Sequence, residues 1–454
     1  MSEKVEFKSK IGLIAATVGS AVGLGNIWRF PAETQANGGA AFLIIYAACV
    51  LLLGIPVMLG EFAIGRAGGS DPMTDYQRLT PGSKWWMTGV TGILASYLIL
   101  CFYTVVAGWT LEYLWHSITG SLYAPINGMD TNSSEMFTGK MADYIGGTAG
   151  PLISTGVLII VVFGVIIAGV RKGIERVSNV MMPLLLILLG VFCAVSLSLP
   201  DSGKGVSFFL NPDFSKVTAG TVVNALGQAF FSLSLGMGVL MTYAAYFPRK
   251  TRLGRTAATV SLFDMAVAVM MGLIVFPAIM SFGLEGEQFE GASLVFVTMP
   301  EIFSRMPATQ VWSVMFFLLL LLAAVTSVIS VAEVTVRMFQ DRCHMSRVRA
   351  AMWVTVPLIV LSPLCALANG PLNHIRVFGL DLFTLFDTVA TNILLPVGAM
   401  LMCIYIGTRL PKQLLHDELT NGGTIRYRFT GTVSFLLKWV APPVIAVILV
   451  SQFI

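Results

Sequence analysis

The sequence predicts an all-α integral membrane protein: 11 transmembrane helices, a 5+5 inverted repeat plus one extra helix, with spans 1 and 6 broken at mid-membrane. Composition is the first reason. Apolar residues fill 56% of 454 positions and charged ones 11%, with a mean hydropathy of +0.81, whereas a soluble chain is about 45–50% apolar. The second is spacing. Apolar runs of about 20 residues, enough to cross ~30 Å of hydrocarbon as helix, recur from end to end between charge or turn signals. The third is that two of these runs, in spans 1 and 6, are interrupted by clustered glycines and polar residues.

Each span follows from its flanks. Span 1 (11–37) begins beyond Lys8 and Lys10 and ends in Asn37-Gly-Gly, span 2 (41–65) runs from there to Arg66, and span 3 (88–116) follows Lys84. Span 4 (151–170) starts at Pro151 and stops at Arg171, and span 5 (176–199) stops at Pro200. Span 6 (219–247) ends at Pro248-Arg-Lys, span 7 (256–283) lies beyond Arg252 and Arg255, and span 8 (309–339) ends before Asp341 and Arg342. Span 9 (350–368) lies between Arg349 and Asn369-Gly-Pro, span 10 (378–407) ends before Arg409, and span 11 (431–453) follows Arg426 and Arg428. The chain then divides into an amino-terminal segment 1–10, a first repeat 11–199 (spans 1–5), a second repeat 219–407 (spans 6–10) and the added span 431–453.

Lysine and arginine in short loops resist translocation. Of the 28, 21 fall on the side of Lys4, Lys8 and Lys10, while Lys140, Lys204, Lys216, Arg305 and Arg376 fall on the other. This places the chain in the cell membrane as a multi-pass protein with its amino terminus cytoplasmic and, for an odd count, its carboxyl terminus extracellular. The net charge of +4 reports that bias and gives no case for nucleic acid. The cysteines show neither a disulfide framework nor zinc-ligand spacing, no cleavable signal precedes span 1, and Asn132-Ser-Ser is a weak glycosylation pattern. His116, His344, His374 and His416 lie in loops or at span ends without a catalytic constellation, which argues against an enzyme.

Irregular chain is tolerated in lipid only where protein or a wet cavity surrounds it. Span 1 contains "SAVGLGNIWRFP", with Gly23 and Gly25 beside Asn26 and Arg29; span 6 contains "FFSLSLGMGV", Phe230 to Val239. Gly19-Ser-Ala-Val-Gly23 alone is also a small-residue packing face, but packing does not explain a buried arginine, which costs at least ~2.5–3.5 kcal/mol without a partner or water. Corresponding interruptions in the two halves, on helices running in opposite directions, point to a transporter with a site at the bilayer midplane. Unwinding exposes amides that attract anions and carbonyls that attract cations. One broken helix can thus hold both ends of an amino acid zwitterion.

"GSAVGLGNIWRFP", "NGGAAFLIIY", "GIPVMLGEFAIGR", "GQAFFSLSLGMG", "AAVTS" and "FDTVATNILLP" together resemble the neurotransmitter:sodium symporter family across nearly the whole chain. The resemblance implies sodium-coupled symport of a hydrophobic amino acid, with two Na+ ions and the lipid bilayer as partners; it leaves the oligomeric state open. It would put the first sodium on Ala21, Asn26, Ser232 and Asp264, and the second on Gly19, Val22, Ala323, Thr326 and Ser327. Hard cations suit such oxygens. Back-bonding to the preceding turn is the alternative role for Thr326 and Ser327. The same resemblance seats the substrate carboxylate on the amides of Leu24 and Gly25 and the Tyr103 hydroxyl, and its ammonium on carbonyls around Ala21, Phe231, Ser232 and Ser234. Gly23 stands where monoamine carriers have an aspartate, which favours amino acids over amines. Met237, beside Phe231 and Val331, suits an adaptable apolar pocket or serves as core filler.

Further implications concern gating and anions. Arg29 with Asp387 would form an outer gate capped by Tyr103 and Phe231. Lys4 with Asp341, helped by Phe7 and Tyr246, would form an inner one, although the family commonly has arginine and tryptophan where Lys4 and Phe7 stand. Gly173 and Pro183 match a span-5 pattern associated with unwinding, and a fixed proline kink is the alternative. Tyr46, Gln228 and Ser232 match chloride ligands, yet Ala268 replaces the serine of chloride-dependent members, while Asp264 and Glu61 bring fixed charge. Chloride independence is therefore expected. A sodium channel is disfavoured by isolated breaks in place of a continuous polar stripe; a sensor that does not transport stays open.

Overall fold

The computed structural model describes residues 6–125, 133–284 and 291–452; Lys4 and Asn132 fall outside them. Among the described residues, nine helices are long and apolar enough to cross a bilayer: Ala40–Gly68, Trp86–Thr119, Ala149–Ile167, Val170–Leu197, Leu253–Ser281, Thr309–Arg342, Arg347–Ala366, Leu382–Thr408 and Thr430–Ser451. They coincide with predicted spans 2–5 and 7–11. Lys10–Ala21 and Gly25–Ala36, meeting at 53°, make span 1 a tenth. Span 6 stands outside that count because it is divided into Ala219–Ser232 and Val239–Ala244, neither long enough by itself.

Burial separates centre from periphery. The apolar window of span 8 is 78% buried and that of span 11 only 28%, so the first is a central post and the second an outer one. Ile160, Ile187, Val356 and Val447 stand exposed on spans 4, 5, 9 and 11. In a bilayer these faces meet acyl chains, where exposed apolar side chains are the stable choice.

Wide helical turns with one extra residue occur at Gly25–Arg29, Val50–Gly54, Leu294–Thr298, Thr388–Leu394 and Leu436–Val440. Each of these is followed two residues later by proline, Pro31, Pro56, Pro300, Pro396 and Pro442, whereas a sixth wide turn, Val170–Glu175, is not. The cause is local. Proline has no N–H and its ring crowds the preceding turn, so the turn relaxes to the wider closure, a bulge often found at functional sites.

Two features depart from expectation. Span 10, predicted from 378, starts at Leu382 because Arg376–Val377 and Leu380–Asp381 pair as short antiparallel strands. Phe378 and Gly379 both have positive φ, 54° and 81°, which suits a two-residue hairpin turn, and Asp381 then caps Thr384 N at 2.9 Å. Helices outside the spans, such as Pro72–Leu79, Ser134–Gly146, Ser202–Leu210 and Lys412–Thr420, are too short for a spanning-length hydropathy signal.

Candidate functional site

The site grows from the two breaks. Span 1 leaves helical geometry at Val22, whose φ and ψ are −73° and 105°, and resumes at Gly25. In span 6 the chain turns through Ser234, Gly236 and Gly238 at φ of 55°, 81° and 74°. A side chain at Gly236 would begin 2.5 Å from the Leu395 carbonyl, and one at Gly238 2.9 Å from Pro72 Cγ. Only glycine fits there.

Buried backbone freed by a break must find partners elsewhere. Glu61 of span 2 accepts from Gly236 N at 2.7 Å, Ser96 of span 3 donates to Met237 O at 2.6 Å, and Ser234 donates to Ser20 O at 2.8 Å, tying break to break. Ser96 escaped the sequence reading, since a lone serine in an apolar run gives no sign that its partner is a distant carbonyl.

Between the breaks lies a narrow cavity of about 40 Å³. Ala21, Gly23, Gly25, Tyr103, Phe231, Ser232, Ser234, Met237 and Val331 all line it. Leu24 joins through its amide, which donates to Tyr103 OH at 3.1 Å. Ser20, Ile99, Phe102 and Ser327 complete the wall, unforeseen except for Ser327, because apolar positions on span 3 look alike in sequence.

Polar groups converge on one side. Asn26 Nδ2 donates to Ser232 Oγ at 2.9 Å and Asp264 Oδ1 at 2.8 Å, and Ser232 donates to the same Oδ1 at 2.7 Å. Tyr46 OH donates to Asp264 Oδ2 at 2.9 Å, while Gln228 donates to Gly25 O at 3.0 Å. All five residues are buried, as is Ala268. The tyrosine and serine that would face an anion thus face a carboxylate of the chain itself. Carboxylate, amide and hydroxyl oxygens form a donor set suited to a hard cation, and among the described residues no cluster of His, Cys, Asp and Glu suits a transition metal.

The second predicted cation position is mixed. Ser327 Oγ sits 3.4 Å from Gly19 O and 3.5 Å from Val22 O, joining span 8 to the end of the first half-helix. Thr326, by contrast, back-bonds at 3.0 Å to both Leu322 and Ala323 carbonyls, the alternative role weighed for it. Gly19 also packs closely, since a Cβ there would lie 3.2 Å from Met182 Sδ.

The outer gate pair is not joined, and Lys4 of the inner one lies outside the described residues. Arg29 does not form an ion pair with Asp387; its Nε lies 3.7 Å from Glu33, and its guanidinium sits 4.8 Å above the Phe231 ring. Four residues on along a helix is the shortest reach for a long side chain, and Asp387 accepts instead from Thr391 at 3.2 Å. At the other end Asp341 accepts from Arg337 and from Ser70, both at 2.6 Å. Phe7 is buried edge-on against Tyr243 and Tyr246, with ring centroids 6.0 and 6.2 Å away. Tyr246 OH donates to Glu333 at 2.7 Å, and Arg347 grips the same carboxylate at 2.6 and 3.0 Å. Gly173 lies in the wide turn Val170–Glu175 and Pro183 inside the helix Arg176–Leu197, so that end of span 5 is wound. Beside it, Glu175 accepts from Lys8 N at 2.9 Å, Ser9 N at 3.0 Å and Ser9 Oγ at 2.8 Å.

The family described as "Sodium:neurotransmitter symporter family" matches residues 4–136 and 139–454. An uncharacterized sodium-dependent transporter of Bacillus subtilis, YhdH, is 36% identical over 99% of this chain and 98% of its own length. Another, from Methanocaldococcus jannaschii, is 34% identical over 88% of this chain and 81% of its own. Among solved structures, MhsT in complex with L-phenylalanine superposes with a TM-score of 0.88 at 36% identity, covering 99% of this chain and 100% of that one.

Proposed function

Because the chain belongs to the sodium:neurotransmitter symporter family, we propose that it is a sodium-coupled symporter of hydrophobic L-amino acids, aliphatic and aromatic, that alternates access across the membrane without chloride. The cavity between the two breaks carries this reading: main-chain amides and a tyrosine hydroxyl at one pole, the Asn26–Ser232–Asp264 oxygens beside them, and Ile99, Phe102, Met237 and Val331 for the rest. The L-phenylalanine held by MhsT supports the same substrate class.

Coupling follows from shared groups. Ser232 touches both the cavity and the carboxylate cluster, and Ser327 both the cavity and the Gly19 and Val22 carbonyls. A cation that neutralises Asp264 strengthens the site for a zwitterion beside it, and the zwitterion returns the same free energy to the cation. With Asp264 as the fixed negative charge, no exchangeable anion is needed. Two sodium ions, an amino terminus in the cytoplasm and repeats 11–199 and 219–407 belong to the same proposal.

Purified protein in sealed vesicles tests it. With a sodium gradient imposed inward, labelled leucine and phenylalanine should accumulate above equilibrium, and uptake should persist when gluconate replaces chloride. Saturable binding without accumulation would instead mark a sensor.

A further inference from the structure

A second space, of about 660 Å³, opens where the first turn of span 1 meets the start of span 7. Five exposed cations border it: Lys8 and Lys10 on one side, Lys250, Arg252 and Arg255 on the other. None of them pairs with a carboxylate among the described residues. Of the acids near them, Glu175 is engaged by the amides of Lys8 and Ser9 and Glu418 by Arg66 and Arg249, while Glu6 offers only its main-chain carbonyl, to Arg171. Span 7 adds to the positive field, because its N-cap residue is Arg252 and no side chain caps it, leaving first-turn amides open to an anion.

The groove is also apolar. Leu13 and Ile14 form part of its wall, and Ile11 and Leu262 beside it are 76% and 63% exposed. Leu262 follows Arg255 and Thr259 at helical spacing on one face. Unpartnered positive charge at the mouth of an apolar groove, at the edge of the membrane-spanning region, fits a phosphate attached to an acyl tail. We propose that this groove binds the phosphate headgroup of an anionic phospholipid, which bridges Lys8 and Lys10 to Lys250, Arg252 and Arg255 while an acyl chain lies along Ile11 and Leu262. The bridge cancels a like-charge repulsion that otherwise drives span 1 away from span 7. Free phosphate satisfies the charges but not the apolar wall.

The test is independent of transport. Purified full-length protein in neutral detergent is titrated with phosphatidylglycerol, phosphatidylcholine or inorganic phosphate; native mass spectrometry counts bound lipid and a melting curve follows stability. Phosphatidylglycerol should bind at least tenfold more tightly than phosphatidylcholine. The triple variant Lys250→Gln, Arg252→Gln, Arg255→Gln should lose that preference, since each cation near an anionic headgroup contributes about fivefold. Arg255→Gln alone, expected to weaken binding about fivefold, serves if the triple variant does not fold. A preference unchanged in these variants overturns the proposal. So does equal binding of phosphatidylcholine, or inorganic phosphate that stabilises as well as the lipid does.

Discussion

At Asp264 one carboxylate receives an amide, a serine hydroxyl and a tyrosine hydroxyl. Replacing that carboxylate with a neutral amide removes the negative charge from the proposed cation position, so Asp264→Asn should weaken apparent sodium affinity roughly tenfold or more in a sodium titration of substrate binding. Gly23 gives a sharper test. A Cβ there would stand 2.7 Å from Ser327 Oγ and 3.1 Å from Tyr103 OH, so Gly23→Ala should abolish amino acid binding, measured by scintillation proximity, with the melting temperature little changed. The sequence placed Asn26, Ser232 and Asp264 in one cluster through family motifs, and the hydrogen bonds among them agree. It named Asp387 as the partner of Arg29, whereas the guanidinium lies nearest Glu33, four residues on along the same helix. It could not tell Thr326 from Ser327, because back-bonding or reaching across is decided by a rotamer.

Among elements, span 6 shows how a break is supported. Its glycines were legible, since bunched Gly and Ser inside an apolar run have few other uses. The support was not, because Glu61 and Ser96 act on backbone groups far away in sequence. Glu61→Ala would leave Gly236 N buried without an acceptor, at a cost of about 1–3 kcal/mol. The expected outcome is a lower melting temperature together with weaker substrate binding, whereas a merely peripheral acid would lower neither. The repeated pairing of a wide turn with a proline two residues on was readable as proline positions but not as geometry, for a proline inside a helix can also kink it sharply.

For the whole molecule, closure is lopsided. The end bearing Phe7 is sealed by aromatic edges and by the Tyr246, Glu333 and Arg347 network, whereas at the other end Arg29 and Asp387 are not joined. Phe7→Ala removes a buried aromatic side chain, a change costing about 3–5 kcal/mol in well-packed cores. It should shift the population toward a form open at that end, read as faster labelling of a cysteine introduced at Ser20 by a membrane-impermeant reagent added on the Phe7 side and as weaker sodium binding. Hydropathy predicts eleven spans; among the described residues ten stand out by length and apolarity once the bent pair of span 1 is taken as one, and span 6, with the second break, does not. Short helices such as Pro72–Leu79 went unseen because capping, not greasiness, makes them: Asp71 accepts from Met73 N and Thr74 N at 3.1 and 3.2 Å.

Glu175 links two of these scales. It belongs to the turn where span 5 carries Gly173, yet its oxygens are spent on the entry to span 1. The carboxylate therefore fastens the entry of span 1 to the start of span 5. Glu175→Gln, which keeps the shape but surrenders the charge, should loosen that fastening, seen as faster deuterium uptake at Ser9 and Lys10 without faster uptake along Arg176–Leu197.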